Sequence, residues 1–272
     1  MKLSKMLFVS LAVTIFSTTY VGIAGGQTPS KPYQQMTREE RSTFVASAAR
    51  RIARGMSGGE YEFTAAFEED IQQAVNQYAR RIGSGGGDRL GKGDLRFVFE
   101  RGHAQAPALM AAFQARKVSP LIALYLPLIE SEYVNIESPN FMGAIGMFQF
   151  LPKTGERYGL SPQDLLDVNK SADAAARYII DSLETFKDDP MKEALALLAY
   201  NRGANSTARD LKLIINDQNK QCSICALSAQ RSKLDDTFRS ESVFYVPRFL
   251  AAAIVGENPE VFGLQMRPLS SY

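Results

Sequence analysis

The chain has no tryptophan, one histidine and two cysteines in 272 residues. Each scarcity removes a class of chemistry. A Ser-His-Asp or Cys-His mechanism would have to recruit His103, and no G-x-S-x-G nucleophile elbow is present. His103 therefore reads as a surface or packing residue. Structural zinc takes four ligands, whereas Cys222 and Cys225 form a single C-x-x-C pair, so no metal site is expected. A thioredoxin-like use of that pair would need a βαβ context, which the sequence lacks. Charge of one sign is not in excess either: 31 basic residues face 29 acidic ones, and without Lys2 and Lys5 the balance is 29 to 29. That gives no electrostatic case for nucleic acid as a partner. No alternation of period two is sustained, so the expected fold class is mainly α. The 45% hydrophobic content supports a sizeable core without help from metals or several bridges.

The first 24 residues have the layout of a secretory signal. Lys2 and Lys5 precede an apolar run from Met6 to Phe16, and Gly22-Ile23-Ala24 supplies small residues for a cut. A retained membrane anchor is the alternative, but Ser17, Thr18 and Thr19 interrupt the run. Export to the periplasm or beyond is the expectation, with membrane association only if the segment is kept. In an exported protein, Cys222 and Cys225 are expected to close a small disulfide loop. Residues 25–36, rich in Gly, Pro, Ser and Gln, read as a linker. Residues 37–94 read as an N-terminal helical extension, 95–256 as the main helical domain and 257–272 as a C-terminal tail.

Local signals place the helices. Thr37 and Glu40 form a capping-box pair that opens a helix to about Arg54. Phe67, Ile71, Val75, Tyr78 and Ile82 recur at helical spacing within 62–82, opposite a charged face that reads as solvated. Six glycines between Gly83 and Gly93 mark a turn or mobile loop. Ser119-Pro120 starts a helix from Leu121 to about Glu132 that is apolar nearly all round and so must be buried. Pro127 should loosen or kink it. Ser161, Pro162 and Asp164 repeat the start signal, with helix continuing over Ala174 to Phe186. Asp189-Pro190 opens the helix carrying Leu195, Leu198, Ala199 and Tyr200, and Phe244, Phe249 and Leu250 mark a last one.

Glu130 stands at the end of the apolar helix. A carboxyl group held among hydrophobic side chains loses solvation in its charged form, so its pKa should rise. It can then carry a proton near neutral pH and give it to a leaving oxygen. Glu132 and Glu137 lie nearby. Two residues from Glu130, Glu132 faces away on a helix, so both read as solvated. Ten residues after Tyr133, Gly143 and Gly146 are followed by Gln149 in a G-x-x-G-x-x-Q pattern. The glycines suit tight turning or close approach of a ligand to main chain, with ordinary loop glycines as the alternative. Gln149 offers both donor and acceptor atoms.

Ile129-Glu130-Ser131, this glycine motif, Ala199-Tyr200-Asn201 and Glu241-Ser242 followed by Tyr245 occur in the order and approximate spacing of one family. The chain resembles lytic transglycosylases with the goose-lysozyme-like fold over residues 95–255. Around Tyr125–Ser131 and Thr154–Leu160 it looks closest to the membrane-bound transglycosylase D subgroup. The resemblance implies a lysozyme-like helical domain that acts on peptidoglycan glycan strands without a cofactor. It implies Glu130 as the only catalytic acid, which protonates the oxygen between N-acetylmuramic acid and N-acetylglucosamine. The same carboxylate then takes a proton from the sugar 6-hydroxyl, closing a 1,6-anhydro ring with no water consumed. The family is an exception to the two-carboxylate rule of glycosidases.

By the same resemblance, Ser131, Gly143, Gly146, Met147, Gln149, Tyr200, Asn201 and Tyr245 are candidate substrate-binding residues. For Ser131 a hydroxyl satisfied by backbone is an equal reading, and for Tyr200 plain core packing is another. Tyr245 would orient Glu130 and help to set its pKa. Phe148 stands where the family often has Trp or Met and should form an apolar wall. Two rivals stay open: a muramidase of the same fold that admits water, and a non-catalytic wall-binding scaffold. Envelope-assembly proteins also stay open as partners.

Overall fold

The computed structural model describes residues 31–216 and 218–272, so the expected signal segment, residues 1–24, and most of the linker lie outside the described residues. Lys31–Tyr272 form one compact unit. Eleven α-helices occur among the described residues: α1 Arg38–Ser57, α2 Ala65–Arg81, α3 Leu95–Ala115, α4 Pro120–Ser131, α5 Pro152–Arg157, α6 Val168–Thr185, α7 Lys192–Arg202, α8 Ala204–Ile214, α9 Ser223–Ala229, α10 Asp236–Ser240 and α11 Tyr245–Glu257. Among the described residues the sole strand-like pairing is one antiparallel bridge, Ile145 with Phe150. The fold is mainly α, as the missing period-two pattern requires.

Most helix starts follow from their caps. Thr37 accepts from Glu40 N while the Glu40 carboxylate accepts from Thr37 N, a complete capping box. Ser119 accepts from Leu121 N, with Pro120 at the first helical position. One expectation needs correction. Ser161, Pro162 and Asp164 open only a short 3-10 helix, Asp164–Leu166, and no α-helix: the Ser161 hydroxyl donates to Asp164 at 2.6 Å and accepts from Asp164 N at 3.2 Å. Helix α6 starts four residues later, where the Asp167 carboxylate accepts from Asn169 N and Lys170 N. Pro127 lies inside α4, which runs on to Ser131.

Helix α11 is the centre of the core, with α2, α1 and α4 packed against it. Phe249 and Tyr125 meet edge to face, their ring centroids 6.4 Å apart, and Tyr125 donates to Glu257 at 2.5 Å. Because α1 and α2 bury Val45, Ile52, Phe67 and Ile71 in the same cluster as α11, residues 37–94 and 95–256 share one core. The end of the linker is also packed, with Tyr33 buried against Phe44 and Phe262. The 257–272 segment likewise buries Leu264 and Leu269.

Cys222 and Cys225 are joined in a disulfide that caps α9. So short a loop constrains the unfolded chain little, about 2 kcal/mol in the chain-entropy picture. Reduction is expected to lower the melting temperature by a few degrees and to leave turnover intact, checked by scanning calorimetry and an activity assay with and without dithiothreitol.

Candidate active site

Glu130 occupies the last turn of α4, and the chain changes direction just beyond it. Glu132 and Tyr133 both adopt left-handed backbone, with φ of 52° and 62°. Non-glycine residues in that region cost of order 1–2 kcal/mol each. Outside contacts hold them there: Arg101 Nε donates to the Glu132 carbonyl at 2.9 Å, and the Tyr133 hydroxyl donates to the Leu124 carbonyl at 2.6 Å. This turn corrects the solvated reading of Glu132. It is only 8% exposed, accepts from Arg81 Nη1 at 2.6 Å and from Gly91 N at 3.0 Å, and so fastens the glycine-rich loop to the end of α4. Glu137 is exposed.

Glu130 itself is only partly exposed. Burial raises its pKa from 4.5 to about 7, against the Tyr245 hydrogen bond and the Arg248 charge, which lower it, and with Glu241, which raises it. The Tyr245 hydroxyl donates to Glu130 Oε1. Burial, and then the Glu130 charge, push the Tyr245 phenol well above its ordinary range, so it stays a donor. Its ring is buried, which makes Tyr245 an orienting group for Glu130 rather than a surface for sugar. Tyr245→Phe is therefore expected to move the alkaline limb of the pH–rate profile upward, since a bond favouring the ionised carboxylate is gone. kcat should fall roughly tenfold. A pH series of initial rates checks both.

The glycine motif forms a braced loop beside this acid. Gly146 has φ +77° and donates to the Ile136 carbonyl at 2.8 Å, and a Cβ there would lie 2.4 Å from the Leu165 carbonyl oxygen. Close backbone packing, not sugar, demands that glycine. Gly143, with φ +88°, has open space beside it. Asn135 ties the loop down, accepting from Met147 N at 3.1 Å and donating to the Leu166 carbonyl at 2.7 Å. Ser131 is 1% exposed, and its hydroxyl donates to the Met147 carbonyl at 2.7 Å. Ser131 and Met147 thus join α4 to the loop, and the Ser131 hydroxyl is satisfied by backbone, one of its two expected readings. Gln149, in left-handed backbone at φ 49°, donates from Nε2 to the Gly146 carbonyl at 2.8 Å and accepts from Asn140 Nδ2 at 3.4 Å.

Phe148 is fully buried against Phe113, so it forms no groove wall. The apolar side chains that do face out here are Phe141, 96% exposed, Met142 and Leu151. Tyr200 donates to the Phe148 carbonyl at 2.9 Å, and its ring meets Tyr178 with centroids 5.1 Å apart. Asn201 Nδ2 donates to Glu241 at 3.0 Å, while its Oδ1 is buried without a partner. The structure thus brings Glu130 and Tyr245 into contact, and places Tyr200 and Glu241 close enough for charge to act on or from the acid.

A cavity of about 280 Å³ opens on Glu130, lined also by Tyr78, Arg81, Leu90, Gly91, Glu132 and Arg248. Sequence reasoning missed this wall. Helical spacing puts Tyr78 on the apolar face of α2, Arg81 carries no motif of its own, and the hint for Arg248 in the sequence is its place one turn after Tyr245. A larger cavity of about 950 Å³, lined by residues such as Glu62, Phe186 and Leu211, contains none of the candidate residues. Among the described residues no cluster of His, Cys, Asp and Glu could hold a metal ion.

No curated protein matches this chain. Residues 108–221 match the family described as Transglycosylase SLT domain, a lysozyme-like fold. That span holds Glu130, the glycine motif and the Tyr200-Asn201 pair, and the match supports a lytic transglycosylase family for this region of the chain.

Proposed function

We propose that this protein is an exported peptidoglycan lytic transglycosylase that cleaves the β-1,4 bond between N-acetylmuramic acid and N-acetylglucosamine. The observation that carries the reading is a single carboxyl group with its pKa raised to about 7, steadied by a phenol, in a region matching the transglycosylase domain. Protonated Glu130 gives its hydrogen to the glycosidic oxygen as the bond to the anomeric carbon breaks. The cation left behind is met by the muramoyl 6-hydroxyl oxygen, which bonds to that carbon. Ionised Glu130 takes the hydroxyl proton and is restored. No cofactor takes part, and no water is consumed. Gln149, which keeps a second amide hydrogen and a second oxygen lone pair beyond its bonds to Gly146 and Asn140, and Asn201 are assigned to sugar hydroxyl and acetamido groups.

Glu241 keeps a second reading alive. Its charge reaches Glu130, and a second carboxylate is what a hydrolytic muramidase would use to activate water. Mass spectrometry of sacculi digested by the protein without residues 1–24 separates the two. Muropeptides one water lighter than reducing-end products are expected, and reducing ends would assign a muramidase. Binding to sacculi without release of muropeptides would leave a scaffold.

A further inference from the structure

The wall of the Glu130 cavity that α2 and the glycine-rich loop supply is not used by the bond-breaking steps proposed above. Tyr78 and Arg81 lie one turn apart on α2, Leu90 and Gly91 come from the loop, and Arg248 comes from α11. The two guanidiniums flank the Tyr78 phenol, with Arg248 beside its hydroxyl and Arg81 close enough for its charge to act there. Their hydrogen-bonding capacity is unevenly used. Arg81 donates from Nη1 to Glu132 and from Nε to the Gly93 carbonyl at 2.9 Å, while its Nη2 is buried with no acceptor. Arg248 donates from Nη2 to the Ile129 carbonyl at 3.2 Å and makes no ion pair among the described residues.

A guanidinium nitrogen buried without an acceptor is costly. With Glu130 protonated for its task, the cavity holds two cations and one fixed anion, Glu132. An acceptor of negative charge offsets that excess, and the planar guanidinium fork matches carboxylate and phosphate geometry, of which the muramoyl sugar carries the former. The volume is at the scale of a substituent rather than a whole ligand. We infer that this cavity is a carboxylate subsite, in which Arg248 and Arg81 receive a carboxylate borne by the muramoyl sugar beside the cleaved bond. The source is either the sugar's own lactyl group or its peptide stem. This rests on the glycan reading of Glu130.

The test uses the Glu130→Gln protein, whose neutral amide stands in for the protonated acid and leaves the ligand uncut. Isothermal titration calorimetry compares an N-acetylglucosaminyl-muramic acid disaccharide with a free lactyl carboxylate, the same disaccharide with its peptide stem, and both with carboxylates converted to methylamides. The carboxylate forms are expected to bind about tenfold more tightly than the amides, and Arg248→Gln in the same background should erase that difference. A difference confined to the stem-free pair assigns the lactyl group, and one confined to the stem-bearing pair assigns the peptide. Equal affinities, a difference that survives Arg248→Gln, or no binding of any form overturns the subsite. Reducing-end products from the unsubstituted protein would sink the transglycosylase reading instead, and leave this comparison standing.

Discussion

Glu130→Gln is expected to lower turnover of sacculi by about 10²–10⁴-fold, the usual worth of general acid–base help, while the protein stays folded and still binds glycan. Steady-state release of muropeptides measures the loss, and undiminished release would remove Glu130 from the chemistry. The unsubstituted protein should lose activity as pH rises through about 7, because only the protonated carboxyl can serve the leaving oxygen. The same shift acts on stability. Between 4.5 and about 7 the folded chain holds a proton that the unfolded chain releases, so raising the pH destabilises the fold. Above that window the penalty is fully present, up to about 3 kcal/mol. Glutamine carries no such penalty, so the variant should melt several degrees higher than the parent at pH 8 and at the same temperature at pH 4. Coincident melting curves at both pH values would mean that position 130 is not desolvated as the structure has it.

Gly146→Ala should be the most damaging small substitution in the loop. Its φ of +77° strains any residue with a Cβ by about 1–2 kcal/mol. The new methyl would also lie 2.4 Å from the Leu165 carbonyl oxygen, which is main chain and cannot swing aside. Overpacking of this kind costs a further ~1–3 kcal/mol, for a melting temperature lower by about 5–15 °C. Activity should fall as well, because Gln149 and the Met147 carbonyl that receives Ser131 hang on this backbone. Gly143→Ala is the control: φ is +88° but no atom lies within 4 Å, so only the backbone cost applies. Thermal melts and turnover of the two variants, side by side, check the claim. Indistinguishable behaviour would show that Leu165 does not constrain the motif.

The elements that could be read from sequence are those with local causes. The Thr37–Glu40 box, the Ser119-Pro120 start and the apolar stripe from Phe67 to Tyr78 each depend on neighbours within a few positions, and each sits where it was expected. Ser161-Pro162 misled because the same residue types also close a turn, and Asp167 was the better-placed cap. At the site, Glu130 was legible from its apolar run. Glu132 was not, since its orientation was taken from a straight helix, whereas α4 ends at Ser131 and the next two residues turn back. Its partner, Arg81, is 51 positions away, and nothing near either residue in the sequence announces the other. Phe148 differs from expectation for a related reason: a motif fixes which residues are near the acid, but the fold decides which of them face inward.

The ion pair between Arg81 and Glu132 bears on how the activity can be moved between proteins. The family match begins at residue 108, yet the turn that aims the acid is gripped from residue 81 and leans on a helix that α2 covers. Grafting residues 108–221 onto a foreign host would transplant the carboxylate without its brace, leaving a buried charge unpaired at the very point where the chain bends.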